Sequence, residues 1–169
     1  DQPRSRGLGD VYKRQTGIIV FLIGVSSIMA WILAFTGIPA AISNALLGIS
    51  NNKIVILLII NVILLVVGTF MDITPAILIF TPIFLPVVTS DLIGMTAIQF
   101  GIMLVFNLCI GTITPPVGNI LFVGVRVAKT SIERVIKPLL PYYGVIILVL
   151  LLVTFVPAIS MFLPRLMGF

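Results

Sequence analysis

Apolar residues run almost without interruption along this chain, and the places where the run is broken define its parts. Residues 16–35 form an apolar stretch of about the length that spans a membrane as a helix, with Trp31 near its far end as an interfacial anchor. Gly37-Ile38-Pro39 closes it. Small and polar residues then alternate with Leu46, Leu47 and Ile49 over 40–50, which predicts a short helix on the surface, too short to cross. Residues 54–88 are apolar except for Gly68-Thr69-Phe70-Met71-Asp72-Ile73-Thr74-Pro75 at the centre. Each arm reaches only ~20 Å at about 1.5 Å per residue, short of a hydrocarbon core of about 30 Å, so a re-entrant hairpin over 51–90 is expected. Thr74 as N-cap and Pro75 at the first helical position would start the second arm, with Pro82 and Pro86 kinking it or ending it early.

The second interruption lies within 95–125, at Gly111-Thr112-Ile113-Thr114-Pro115-Pro116-Val117-Gly118-Asn119. Pro115 and Pro116 have no N–H to give to the carbonyls of Gly111 and Thr112, so a continuous helix is impossible there and two carbonyls are released. In lipid such backbone is tolerated only where protein or a water-filled cavity surrounds it. Discontinuous helices of this kind line the ion and substrate sites of secondary transporters. The expected organisation is therefore a leader at 1–15, a spanning helix with a short interfacial helix at 16–50, the hairpin at 51–90 and a broken transmembrane helix at 91–126. A basic loop and a last spanning helix follow at 127–169.

Composition agrees with a multi-pass membrane protein: 60% of residues are hydrophobic and 9% charged, far below the roughly 25% charged content of soluble domains. The net charge of +5 is clustered at Arg4, Arg6, Lys13 and Arg14 and again at Arg126, Lys129, Arg134 and Lys137. That pattern reports topology and not nucleic-acid binding. The second cluster, opposed by Glu133 alone, marks a cytoplasmic loop; Thr130 and Ser131 start a short helix there, and Pro138 and Pro141 lead into a last span over 142–163. Counting crossings places the hairpin ends and the C-terminus outside, and Lys13 and Arg14 inside. The leader DQPRSRGLGDVYKRQ has no apolar period and no helix signal, and reads as artefactual or disordered, with the chain as the tail of a longer protein.

Chemistry is confined to oxygen atoms. With Cys109 as the single cysteine and no histidine, transition-metal and thiol–histidine chemistry lose their usual ligands, and no nucleotide-binding or hydrolase motif is present, so no enzyme is expected. Asp72 is the one ionisable side chain in 54–90 and falls at the hairpin tip. An acid at membrane depth faces a cavity, an ion or a partner, or else caps the second arm. The candidate cation ligands are Gly68, Thr69, Asp72, Thr74, Gly111, Thr112, Thr114 and Pro115, acting through carbonyls and hydroxyls that suit a hard ion such as Na⁺. Asn107, Pro116, Gly118 and Asn119 are the candidate substrate contacts; Asn61 and Asn107 read equally as interhelical glue.

Read together, GTFMD at 68–72, IFTPIFLP at 79–86, FGI at 100–102, Asn107-Leu108, GTITPPVG at 111–118 and Leu121-Phe122-Val123 resemble the large membrane subunit (DctM-like permease) of tripartite ATP-independent periplasmic (TRAP) transporters. The resemblance implies an all-α elevator-type fold of the ion transporter superfamily, of which this chain would hold the second inverted repeat, with one re-entrant hairpin and one broken helix. It implies uptake of an organic anion, such as a C4-dicarboxylate or sialic acid, coupled to Na⁺ and needing no other cofactor. It also implies a small membrane subunit (DctQ-like), a periplasmic substrate-binding protein and a bacterial or archaeal cytoplasmic membrane. The alternatives are a channel or noncatalytic scaffold, in which the breaks only pack helices, and, poorly supported, an intramembrane enzyme.

Overall fold

The computed structural model describes residues 3–50, 52–115 and 118–168, and every element among them is helical. Helix α1 (Pro3–Thr36) is followed at Gly37, whose φ of 70° suits a residue without a side chain, by α2 (Ile38–Ile49). Three helices then form the centre: α3 (Lys53–Phe70), α4 (Ile73–Val88) and α5 (Ala97–Ile113). The chain ends in α6 (Asn119–Val127), α7 (Ile132–Phe155) and α8 (Pro157–Leu166). Segments Tyr12–Leu33, Lys53–Phe70 and Ile132–Phe155 are long and apolar enough to cross a membrane.

The core is the seam between α3 and α5. Ile56, Leu57, Ile60 and Leu64 interlock with Phe100, Met103, Leu104 and Leu108, all of them essentially inaccessible. The two helices run parallel: Asn61 meets Asn107 and Met103, and further along Gly68 meets Gly111. Helix α4 must therefore return between them, and it adds Ala76, Phe84, Val87 and Val88 to the same core while packing on α1 and α2. Helix α1, by contrast, leaves Val20, Phe21, Ile28 and Trp31 exposed, which suits lipid and not water.

Several local expectations are corrected. Residues 3–15 continue α1 backwards, although they carry no apolar stripe; extending a helix that already exists needs no new nucleus. The first arm is 18 residues long and reaches Phe70, so it spans ~27 Å and not ~20 Å. Asp72 occupies the N-cap position of α4 without a side-chain bond and the helix starts at Ile73, so Thr74 is not its N-cap; Pro75 still falls among the first four residues, whose N–H groups have no partner to lose. Pro82 and Pro86 do not end α4, because the buried Phe84, Val87 and Val88 hold its last turns against the core. Pro138 and Pro141 sit inside α7 as one 24-residue helix with no separate interfacial helix, and the Arg134 and Lys137 carbonyls that they leave without a donor lie on exposed turns. The last span instead stops at Val156, held at φ −111° and ψ 90°, the extended conformation favoured before Pro157.

Candidate functional site

The helix break follows from the prolines. Thr114, just before Pro115, is extended at φ −92° and ψ 132°, and α5 stops one residue earlier. Its last turn tightens, so that the Thr114 N–H donates to the Gly111 carbonyl at 2.9 Å. Gly111 therefore has a donor where the sequence leaves its carbonyl released. Gly118 has φ 36° and opens α6. A β-carbon on Gly118 would lie 2.9 Å from the Thr114 carbonyl oxygen and 3.1 Å from that of Thr112, so both oxygens converge on one point beside this glycine.

The tip of the α3–α4 turn meets this break directly. Gly68 and Gly111 touch backbone to backbone, and the Gly118 N–H donates to the Thr69 carbonyl at 3.2 Å. Two apolar helices thus end side by side, each presenting the negative end of its dipole, while α4 and α6 begin at the same place. Among the described residues no N–H or hydroxyl reaches the carbonyls of Gly68, Thr112 or Thr114. The three threonine hydroxyls donate back into their own helices, Thr69 to Val66 at 2.7 Å, Thr112 to Cys109 at 2.8 Å and Thr114 to Ile110 at 2.6 Å. Among the described residues nothing donates to these three hydroxyl oxygens.

The sequence-predicted residues divide accordingly. Gly68, Thr69, Gly111, Thr112, Thr114 and Gly118 are brought together, with Pro115 lining the neighbouring cavity. Asp72 and Thr74 are exposed at the turn, and the Asp72 carboxylate makes no capping bond. Pro116 lies outside the described residues, as does the side chain of Asn119. Asn107 is fully enclosed: its amide N–H donates to the Asn61 side-chain oxygen at 2.7 Å and to the Asn61 carbonyl at 3.2 Å, joining α3 to α5.

Two contributions are invisible in the sequence. Tyr143 of α7 donates its hydroxyl to the Ile113 carbonyl, at the edge of the break. Gln99 and Thr154 extend the buried amide pair across to α7, Gln99 donating to the Thr154 carbonyl at 3.2 Å. Neither residue breaks a local pattern, and the pairs are separated by 30 and 55 positions. Tyr143→Phe is expected to lower stability by about 1 kcal/mol, one net hydrogen bond, with the helix content unchanged; thermal unfolding in detergent checks it, and an unaltered midpoint would mean the contact contributes nothing.

A set of parallel apolar helices that stop together inside a bundle, with oxygen atoms turned to one point, is the arrangement of a membrane transporter, not of a catalytic centre. Residues 11–159 match the family profile described as the tripartite ATP-independent periplasmic transporter DctM component, and the chain belongs to that family. It is 50% identical over 151 residues to the uncharacterized protein YgiK of Salmonella typhimurium, covering 89% of this chain and 34% of that protein. It is 44% identical over 147 residues to the isethionate TRAP transporter permease protein DctMQ of Oleidesulfovibrio alaskensis, 87% of this chain and 23% of the other. The C4-dicarboxylate TRAP transporter large permease protein DctM of Vibrio cholerae is 40% identical over 152 residues, 90% of this chain and 33% of its own. The chain spans about a quarter to a third of the length of these relatives. The family is one of transporters and not of enzymes, in agreement with the residues.

Proposed function

We propose that this chain is the second inverted repeat of the large permease subunit of a secondary transporter that imports an organic anion together with Na⁺ across a bacterial cytoplasmic membrane. The observation that carries this reading is the convergence of the Thr112 and Thr114 carbonyl oxygens beside Gly118, next to the end of α3. Carbonyl and hydroxyl oxygens, with the negative ends of α3 and α5 behind them, suit a hard monovalent cation. Helices α4 and α6 begin at the same place with no side-chain cap, so their free N–H groups suit a carboxylate of the substrate. One locus then holds both charges, which is what coupling requires.

On this reading α3 and α4 are a re-entrant hairpin. Helix α4 has 16 residues, or ~24 Å, and its far end, carrying Thr89, Ser90 and Asp91, returns to the side where Asn52 and Lys53 begin α3. Relatives named for isethionate and for C4-dicarboxylate support an organic anion as cargo. The complete protein would work as an elevator with a first repeat, a DctQ-like small subunit and a periplasmic binding protein that delivers the anion.

The test is uptake of the organic anion by the complete complex in vesicles. Uptake is expected to need Na⁺, and Thr114→Ala is expected to raise the half-saturating Na⁺ concentration about tenfold or more, the loss of one contact to a charged group. Uptake that ignores Na⁺, with the substitution silent, would overturn the reading and favour a channel or scaffold.

A further inference from the structure

The carbonyls of three consecutive residues at the break do not face the same way. A β-carbon on Gly118 would meet the Thr114 oxygen at 2.9 Å and the Thr112 oxygen at 3.1 Å, but at Ile113 it would meet the carbonyl carbon, at 3.3 Å. The Ile113 oxygen is turned to α7, where it accepts from the Tyr143 hydroxyl. This carbonyl and the Thr114 N–H belong to one planar peptide unit, in which the two groups point in opposite directions. The N–H end is held by the Gly111 carbonyl at 2.9 Å, within the last turn of α5. The carbonyl end is held from another helix, by Tyr143.

The unit so held lies between the two peptides whose oxygens converge. A bond within the last turn of a helix frays readily on its own, because helix ends do. A second bond from a different element fixes the same plane against rotation, and with it the backbone between Thr112 and Thr114. Filling space there would need only a ring, and Tyr143 does line the cavity of about 500 Å³ that Thr69, Thr114 and Pro115 also line. The hydroxyl adds a tie, and of the α5 carbonyls it meets the one between the converging pair. Tyr142, one position away and so ~100° round the helix, is 65% exposed.

We propose that Tyr143 is a positioning residue for the cation: by holding the Ile113–Thr114 peptide from α7 it keeps the Thr112 and Thr114 carbonyls facing together before the ion arrives. The inference rests on the reading of the break as a Na⁺ site. Tyr143 acts through the peptide and not on the ion. With its hydroxyl in place Na⁺ enters a formed site; without it, the ion must order the backbone as it binds, and that ordering is subtracted from its affinity.

The experiment is a titration of the full-length protein with its partner subunits, in detergent, with Na⁺ replacing choline at constant ionic strength and the melting temperature as the readout; Na⁺ is the one ligand added. Tyr143→Phe keeps the ring and removes the hydroxyl. It is expected to move the curve of melting temperature against Na⁺ to about fivefold higher concentration, the scale of ordering one residue's backbone, over and above any fall in choline alone. Tyr142→Phe is expected to leave the curve where it was. If Tyr143→Phe melts lower in choline but responds to Na⁺ as the parent does, the hydroxyl merely ties α7 to α5 and the inference is overturned. Equal shifts from both tyrosine variants overturn it too. Thr114→Ala separates the two levels of the argument. If the parent ignores Na⁺, or Thr114→Ala does not shift the curve, the Na⁺ reading of the break fails and takes the inference with it; if Thr114→Ala shifts the curve and Tyr143→Phe does not, the inference alone fails.

Discussion

Gly111→Ala is expected to be the most damaging small substitution in the chain. A β-carbon there would lie 2.5 Å from both the Cα and the carbonyl carbon of Gly68. The obstacle is backbone, which has no rotamer to change, and it sits where α3 and α5 must stop together. Separating the two helix ends would also stretch the Gly118 N–H bond to Thr69 and undo the convergence of carbonyls. We expect a loss of about 3 kcal/mol, the upper end of what overpacking costs, together with loss of transport. Gly68→Ala is the internal control, because its nearest contact would be 3.1 Å, a strain of tenths of an ångström. Thermal unfolding of both variants of the full-length protein in detergent decides the matter; equal stabilities would show that the crossing is looser than described.

The second large effect is expected at the buried amide pair. Asn61 and Asn107 are 3% and 0% exposed, and the side-chain oxygen of Asn107 is the one buried side-chain polar atom among the described residues with no partner. Asn61→Leu removes the nearer acceptor of the Asn107 amide and leaves it the Asn61 backbone carbonyl at 3.2 Å, and Asn107→Leu strands the Asn61 oxygen, leaving it only the Thr154 hydroxyl at 3.5 Å. Each is expected to cost about 1–3 kcal/mol. Replacing both removes the stranded groups together, so the double variant should be less damaged than the sum by about 1–2 kcal/mol. A denaturation cycle over the four proteins measures that coupling. Simple additivity would mean that the two amides do not bond.

These two effects illustrate how unevenly the chain could be read in advance. The break at 114–118 was legible because proline has no N–H and biases the residue before it, and the short α2 and the start of α6 followed from glycine and proline in the same way. The prolines at 82, 86, 138 and 141 carry the same chemistry yet leave their helices whole. What differs is surroundings: Phe84, Val87 and Val88 are anchored in the core, and the turns around Pro138 and Pro141 are exposed. A proline states which bond is missing, and its neighbours in space decide whether the helix survives. The candidate site shows the same limit. Gly68 and Gly111 were each conspicuous, but their contact is a matter of register between helices 43 positions apart.

By itself the sequence determined that this is a helical, membrane-embedded chain and where its polar interruptions fall, because those properties depend on residue type and on neighbours within one turn. Only the tertiary structure decided that α3 and α5 run parallel and end together, that the Gly118 N–H reaches the Thr69 carbonyl across the break, and that Tyr143 reaches Ile113. Such facts depend on how closely two backbones approach, and in lipid, where apolar surface alone does not choose a partner, that approach is set by the shape of small residues such as Gly68 and Gly111 and by buried amides.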